Sequence, residues 1–131
     1  MELFKQRSDI KHIGHSLKLI PLGGIGDVTK NMYIYEAPND IVIVDCGVGF
    51  PDEAMPGVDL VIPDISYLRD KKSKIRAILI THGHDDHIGG LPYIWPELGV
   101  PIYTQRLTAG FIRTKFSEFN LPKNKIIEVD I

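Results

Sequence analysis

One cysteine, Cys46, is all that the 131 residues contain, so the chain forms no internal disulfide and no cysteine-built metal cage. Any metal it holds must be taken by histidine and carboxylate. No apolar run approaches the roughly 18 residues that a spanning helix needs. The start, Met1-Glu2-Leu3-Phe4-Lys5-Gln6-Arg7, lacks the apolar core of a secretory leader. Those two absences point to a cytoplasmic protein with no membrane partner. A surplus of positive charge is also missing: fifteen Lys and Arg face seventeen Asp and Glu, a net charge of −2, and nothing advertises a basic nucleic-acid surface. Internal repeats and low-complexity segments are absent as well. What remains is an ordinary globular composition, 44% apolar and 24% charged, enough to bury one modest core.

Residues 1–15 are mixed and polar, and predict a flexible arm in which His12 and His15 carry no special role. Leu17, Leu19 and Leu22 begin a strand that runs into Gly23-Gly24-Ile25-Gly26, and Asn31 to Glu36 forms a second strand. Ala37-Pro38-Asn39-Asp40 turns the chain into Ile41-Val42-Ile43-Val44. That continuous β-branched run predicts a strand covered on both faces, ending abruptly at Asp45. Glycines and prolines from Cys46 to Gly57 predict a long connection, Val58 to Ile62 a short extended segment, and Asp64 a cap for a brief helix through Leu68. Ile75 to Ile80 is a further buried strand. Leu91 to Leu98 predicts a short or kinked helix, with Pro92 in its first turn, Pro96 inside and Gly99 as its stop. Val100 to Tyr103 reads as a strand, about Thr104 to Asn120 as an amphipathic helix on Leu107, Phe111, Ile112, Phe116 and Phe119, and Ile126 to Val129 as a last strand. An early β hairpin followed by alternating strands and helices is an α/β architecture with a mixed sheet and flanking helices.

The chemistry concentrates in Thr81-His82-Gly83-His84-Asp85-Asp86-His87, at the C-terminal end of the strand over 75–80. Strand ends of this kind are where α/β sheets build sites. In an extended segment side chains two apart point the same way, so His82 and His84 grip one ion while Gly83 lets the backbone bend tightly. Asp86 and His87 lie past the turn and address a second ion, at the roughly 3.5 to 4 Å separation of two-metal hydrolases. Nitrogen and oxygen donors without thiolate suit Zn²⁺, with Mn²⁺ the lesser fit. A single histidine in a polar loop is ordinarily a contact for backbone or solvent. Four ligand-type side chains crowded beside one apolar strand carry an electrostatic and desolvation cost that metal or specific pairing must offset.

Asp45 also ends an apolar strand, and if the strands over 41–45 and 75–80 run parallel its carboxylate reaches the same sheet edge. There it orients a ligand imidazole through its free N–H or fixes the neighbouring loop; the plainer alternative is a turn cap. Cys46 reads as a buried packing residue. Gly24-Ile25-Gly26 with Asp45 some 20 residues on invites a dinucleotide-binding reading. Thr29 stands where a third glycine belongs, and a hairpin over 31–45 leaves no room for a crossover helix. No cofactor-binding residue is therefore assigned. Lys71, Lys72, Lys74 and Arg76 lie at the far end of the motif's strand, roughly 20 Å away at about 3.3 Å per residue. They read as a solvated face, as do Arg106, Arg113 and Lys115.

With those residues in place, the chain resembles the N-terminal portion of the ribonuclease J family, in the β-CASP group of the metallo-β-lactamase superfamily. The resemblance runs from about Leu19 to Gly110 and rests on Pro21-Leu22-Gly23-Gly24-Ile25-Gly26, Lys30-Asn31-Met32-Tyr33, Val44-Asp45-Cys46-Gly47, Phe50-Pro51, Gly57 to Asp64, and Thr81 to Pro92. It implies that His82 and His84 bind one zinc, that Asp86 and His87 bind the other, and that Asp45 is the acidic residue of the family's first motif. It also implies hydrolysis of RNA phosphodiesters by a hydroxide activated between the metals, with Asp86 as the catalytic residue that orients it or accepts its proton. Single-stranded RNA is then the partner of the full-length protein, with homo-oligomers allowed. The family's remaining ligands and its RNA-clamping insertion are expected beyond residue 131, so residues 16–131 read as an incomplete domain, half of a four-layer αββα sandwich that alone binds zinc weakly. A hydrolase of the same fold acting on esters, thioesters or lactams, and a non-catalytic binding module, are the competing expectations.

Overall fold

The computed structural model describes residues 16–130. The expected arm over 1–15, with His12 and His15, lies outside the described residues. Six strands form one sheet whose spatial order is the chain order: β1 (Lys18–Gly23), β2 (Met32–Glu36), β3 (Ile41–Val44), β4 (Ile75–Leu79), β5 (Ile102–Thr104) and β6 (Ile126–Glu128). β1, β2 and β3 pair antiparallel, whereas β3 to β6 pair parallel. The change of direction at β3 leaves the hairpin over 31–45 without a crossover helix and removes the dinucleotide-binding reading.

Register explains the core. Ile20, Ile34, Ile43, Ile78, Ile102 and Ile126 are successive cross-strand partners, a row of one residue type through all six strands. Ile34, Ile43, Ile78, Ile102 and Ile126 are buried in one cluster with Leu91, Ile94 and Trp95 of α2 (Leu91–Leu98) and Ile112 and Phe116 of α3 (Arg106–Glu118). Trp95 and Phe116 pack ring on ring at 5.1 Å, and the Trp95 indole N–H donates to Val100 O at 2.7 Å. α2 carries Pro96 inside and stops at Gly99, whose φ of 64° is the left-handed conformation that glycine adopts without a steric penalty.

The opposite row, Pro21, Tyr33, Val44, Leu79, Tyr103 and Ile127, is apolar but half open, with Leu79 42% exposed. The expectation that the strand over 41–44 is covered on both faces is therefore corrected: Ile41 and Ile43 are buried, while Val42 and Val44 are partly open, because the described helices pack on the isoleucine side. Two smaller expectations also change. The segment over 58–62 contributes one isolated bridge, Gly49 to Val61, and the brief helix after Asp64 is a 3-10 turn at Ser66–Leu68, with Asp64 Oδ1 accepting from Ser66 N at 2.9 Å.

At the sheet end remote from the histidines, the basic cluster is neutralised by acids. Lys74 Nζ donates to Glu36 at 2.8 Å and Arg76 to Asp40 at 2.6 Å, while Lys72 lies 3.9 Å from Glu97. The Lys74 ammonium, and after it the Tyr67 hydroxyl, hold the buried Glu36 carboxyl below the usual carboxylate range. This arrangement consumes the charge that a phosphate track needs.

Candidate metal centre

Because β3 and β4 are adjacent and parallel, with Val44 opposite Leu79, the chain leaves both strands at the same sheet edge. Asp45 sits at that exit, its N–H donating to Leu79 O at 2.8 Å. It is 3% exposed and holds a φ of 63°, a conformation uncommon outside glycine and tolerated by Asp. Its carboxylate faces the loop after β4. Oδ1 accepts from Thr81 N at 2.9 Å, the Thr81 hydroxyl lies 3.0 and 2.9 Å from Oδ1 and Oδ2, and Oδ2 lies 2.7 Å from His87 Nδ1. An ionised carboxylate only accepts, so His87 carries a proton on Nδ1 and the neutral ring has its lone pair on Nε2.

His84 ends the extended segment, and α1 (Asp85–Ile88) follows as a single turn carrying Asp86 and His87. The His82 ring lies 4.0 Å from the His87 ring and 4.7 Å from the His84 ring, centre to centre. His82 is thus nearer to His87 than to His84, and the three rings lie together at this sheet edge. Gly83 has no unusual φ; a Cβ there would lie 2.5 Å from the Phe111 ring, so that ring would have to shift to admit a side chain.

The donor chemistry fits a divalent cation. With the His87 ring neutral and its proton on Nδ1, His87 Nε2 and Asp86 Oδ2, 3.4 Å apart, are two acceptors facing each other. The Asn31 side-chain nitrogen is 3.4 Å from each, but its closer partners are Val28 O at 2.9 Å and Asp86 O at 3.1 Å. A cation satisfies such an acceptor pair. The set is not complete as it stands: among the described residues no three His, Cys, Asp or Glu side chains converge on one metal position. For a metal to gather three of these side chains, the His82 and His84 rings would have to turn their nitrogens toward the Asp86 oxygens or the His87 nitrogen.

Two residues that sequence reasoning left without a role prove central, Asn31 and Thr81. Each is polar, each precedes or follows a strand, and their meaning lies in contacts made 55 and 36 residues away. Lys115, expected on a solvated face, instead pairs with Asp85 at 2.7 Å and ties α3 to the histidine loop. Cys46 is fully buried, and burial, with the adjacent Asp45 charge, pushes its thiol up, which suits packing rather than a thiolate nucleophile. The glycine turn at Gly24 and Gly26, with φ values of 80° and 75°, leads to Asp27, which caps Thr29 N at 2.9 Å.

Comparison with known proteins agrees with this architecture. The metallo-beta-lactamase superfamily model matches residues 25–130, which takes in every strand from β2 onward and the whole histidine loop. Ribonuclease J of Thermus thermophilus is 48% identical over 110 residues, covering 80% of this chain and 19% of the relative. Ribonuclease J of Helicobacter pylori is 47% identical over 108 residues, covering 82% and 16%, and ribonuclease J2 of Bacillus subtilis is 43% identical over 104 residues, covering 79% and 19%. The chain thus spans less than a fifth of the length of these relatives. An archaeal metallo-beta-lactamase superfamily protein from Sulfolobus tokodaii shares the fold with a TM-score of 0.53 at 21% identity, over 87% of this chain and 48% of that one. Its sheet, its histidine loop and the family match agree: the chain belongs to the metallo-β-lactamase superfamily, and among its members it is similar to ribonuclease J.

Proposed function

We propose that this chain is part of a zinc-dependent ribonuclease that hydrolyses phosphodiester bonds of single-stranded RNA. The observation that carries the metal reading is the pair of facing acceptors, His87 Nε2 and Asp86 Oδ2, backed by a buried carboxylate that keeps the other ring nitrogen protonated. The relatives named ribonuclease J favour RNA as the substrate. His82 and His84 hold one ion and Asp86 and His87 the other, Zn²⁺ suiting the imidazole-rich set and Mn²⁺ standing second. Bound there, such ions supply Lewis acidity toward the phosphoryl oxygens and make water nucleophilic near neutral pH. Asp86 orients the attacking water or accepts its proton, and Asp45 keeps the His87 lone pair on Nε2. The half-open row from Pro21 to Ile127 is where a second sheet packs in an αββα sandwich, so residues 16–131 form an incomplete domain. No helix of the described residues is long and apolar enough to cross a membrane, and a cytoplasmic place suits an RNA substrate.

In the longer protein containing this chain, cleavage of a single-stranded RNA oligonucleotide is expected to stop on chelation and resume with zinc. Asp86→Ala lowers kcat by about 10²- to 10⁴-fold, and the 131-residue chain alone shows no multiple turnover. Turnover of a chromogenic thioester or lactam with indifference to RNA contradicts the substrate; absence of stoichiometric metal contradicts the enzyme.

A further inference from the structure

The contact between Thr81 Oγ1 and His82 Nδ1, at 3.0 Å, has no part in the reading above. A threonine hydroxyl has one proton to give, and three acceptor positions surround it: Asp45 Oδ1 at 3.0 Å, Asp45 Oδ2 at 2.9 Å and His82 Nδ1. The ionised carboxylate is the strongest of the three, and it already receives the backbone N–H of the same residue. The hydroxyl proton therefore goes to Asp45. That leaves an oxygen lone pair facing His82 Nδ1, and the contact is a hydrogen bond only when Nδ1 carries the proton. The two-point hold on N and Oγ1, together with a β-branched side chain, fixes the Thr81 rotamer and keeps that lone pair aimed.

We propose that Thr81 is a positioning residue that passes the orientation set by Asp45 on to His82, so that one buried carboxylate sets which nitrogen carries the proton in two neutral imidazoles. Asp45 acts on His87 directly and on His82 through the Thr81 hydroxyl. Both rings then present an unprotonated Nε2. The use of those lone pairs for a cation rests on the metal reading proposed above; the placement of the protons does not.

Histidine in water favours the form protonated on Nε2, so the proposed state of His82 is opposite to its default and is visible by spectroscopy. Long-range ¹⁵N–¹H correlation spectra of the metal-free chain, with assigned histidines and neutral rings, report it. In the wild type both His82 and His87 carry the proton on Nδ1. Thr81→Val moves the His82 proton to Nε2 and leaves His87 unchanged, and Thr81→Ser restores the wild-type pattern. A purely structural role for Thr81 moves neither ring selectively. Zinc affinity, measured against a competing chelator, falls by about 10-fold in Thr81→Val and recovers in Thr81→Ser. The proposal is overturned if wild-type His82 carries its proton on Nε2, a result that needs no variant to fold, or if Thr81→Val leaves the His82 pattern intact. A tautomer shift in Thr81→Val with zinc affinity unmoved upholds the positioning of the His82 proton and removes His82 from the metal reading instead.

Discussion

Asp45→Asn is expected to weaken divalent-metal binding by about 10- to 100-fold while the chain stays folded. The backbone tolerates the exchange, because Asn occupies the left-handed region as readily as Asp and the φ of 63° needs no change. The side chain does not. The carboxylate takes three donors, Thr81 N, Thr81 Oγ1 and His87 Nδ1, on two oxygens. An amide replaces one of those oxygens by a donor, so an N–H must face either Thr81 N–H or His87 Nδ1–H. The low-energy escape is for His87 to move its proton to Nε2, which puts hydrogen where the proposed ligand lone pair stood. Titration of zinc against a chromophoric chelator reads the affinity, and circular dichroism verifies the fold. Unchanged affinity in a folded Asp45→Asn chain contradicts the role given to Asp45.

Gly47→Ala carries the largest expected effect on stability, a loss of about 3 kcal/mol or more. A Cβ at this position would lie 1.7 Å from the Asp86 carbonyl oxygen and 2.8 Å from Asn31 N, both backbone atoms with no rotamer to yield. Three segments are laced together here. Cys46 N donates to His87 O, Gly47 N to Asn31 O, Val48 N to Asp85 O, Asn31 N to Asp86 O and Gly90 N to Cys46 O. Making room for one methyl separates the loop after β3 from α1, which carries Asp86 and His87, and breaks several of these bonds together. Urea unfolding measures the loss, and in thermal unfolding the midpoint temperature is expected to fall by about 10 °C. Gly110→Ala is the matched control: Gly110 lies within α3 with open space around it, and alanine there is expected to be stabilising by about 0.5 to 1 kcal/mol. Equal stability of the two variants contradicts the close packing assigned to Gly47.

The sheet was largely legible because its strands announce themselves one at a time. The β-branched run Ile41 to Val44 and the largely apolar stretch from Ile75 to Ile80 give two of the strands, Pro38 and Asn39 the hairpin, and Gly99 the end of α2. The placement of Asp45 needed one further condition, that β3 and β4 run parallel, and they do. What the residues alone leave open is anything decided by a distant partner. A continuous apolar run states that a strand is apolar on both sides; the half-open Val42 and Val44 depend on which elements pack across them. Helical spacing places Lys115 on an exposed face of α3, but the salt bridge to Asp85 depends on how α3 crosses the histidine loop. In the same way His-x-His-x-Asp-His identifies the donors without saying which ring stands beside which, and the approach of His82 to His87 comes from the turn of α1. Asn31 and Thr81 were the larger omissions. A polar residue beside a strand has no distinguishing mark until the contact 55 or 36 residues away is seen.

X-ray absorption fine structure at the zinc edge, recorded on the chain loaded with zinc, tests most directly whether these side chains take the metal. Imidazole nitrogens at about 2.0 to 2.1 Å, with the outer scattering of histidine rings, are the expected signature, and they are lost when His82, His84 and His87 are replaced together by alanine. A spectrum of water oxygens without ring scattering, the same in the wild type and the triple variant, contradicts it.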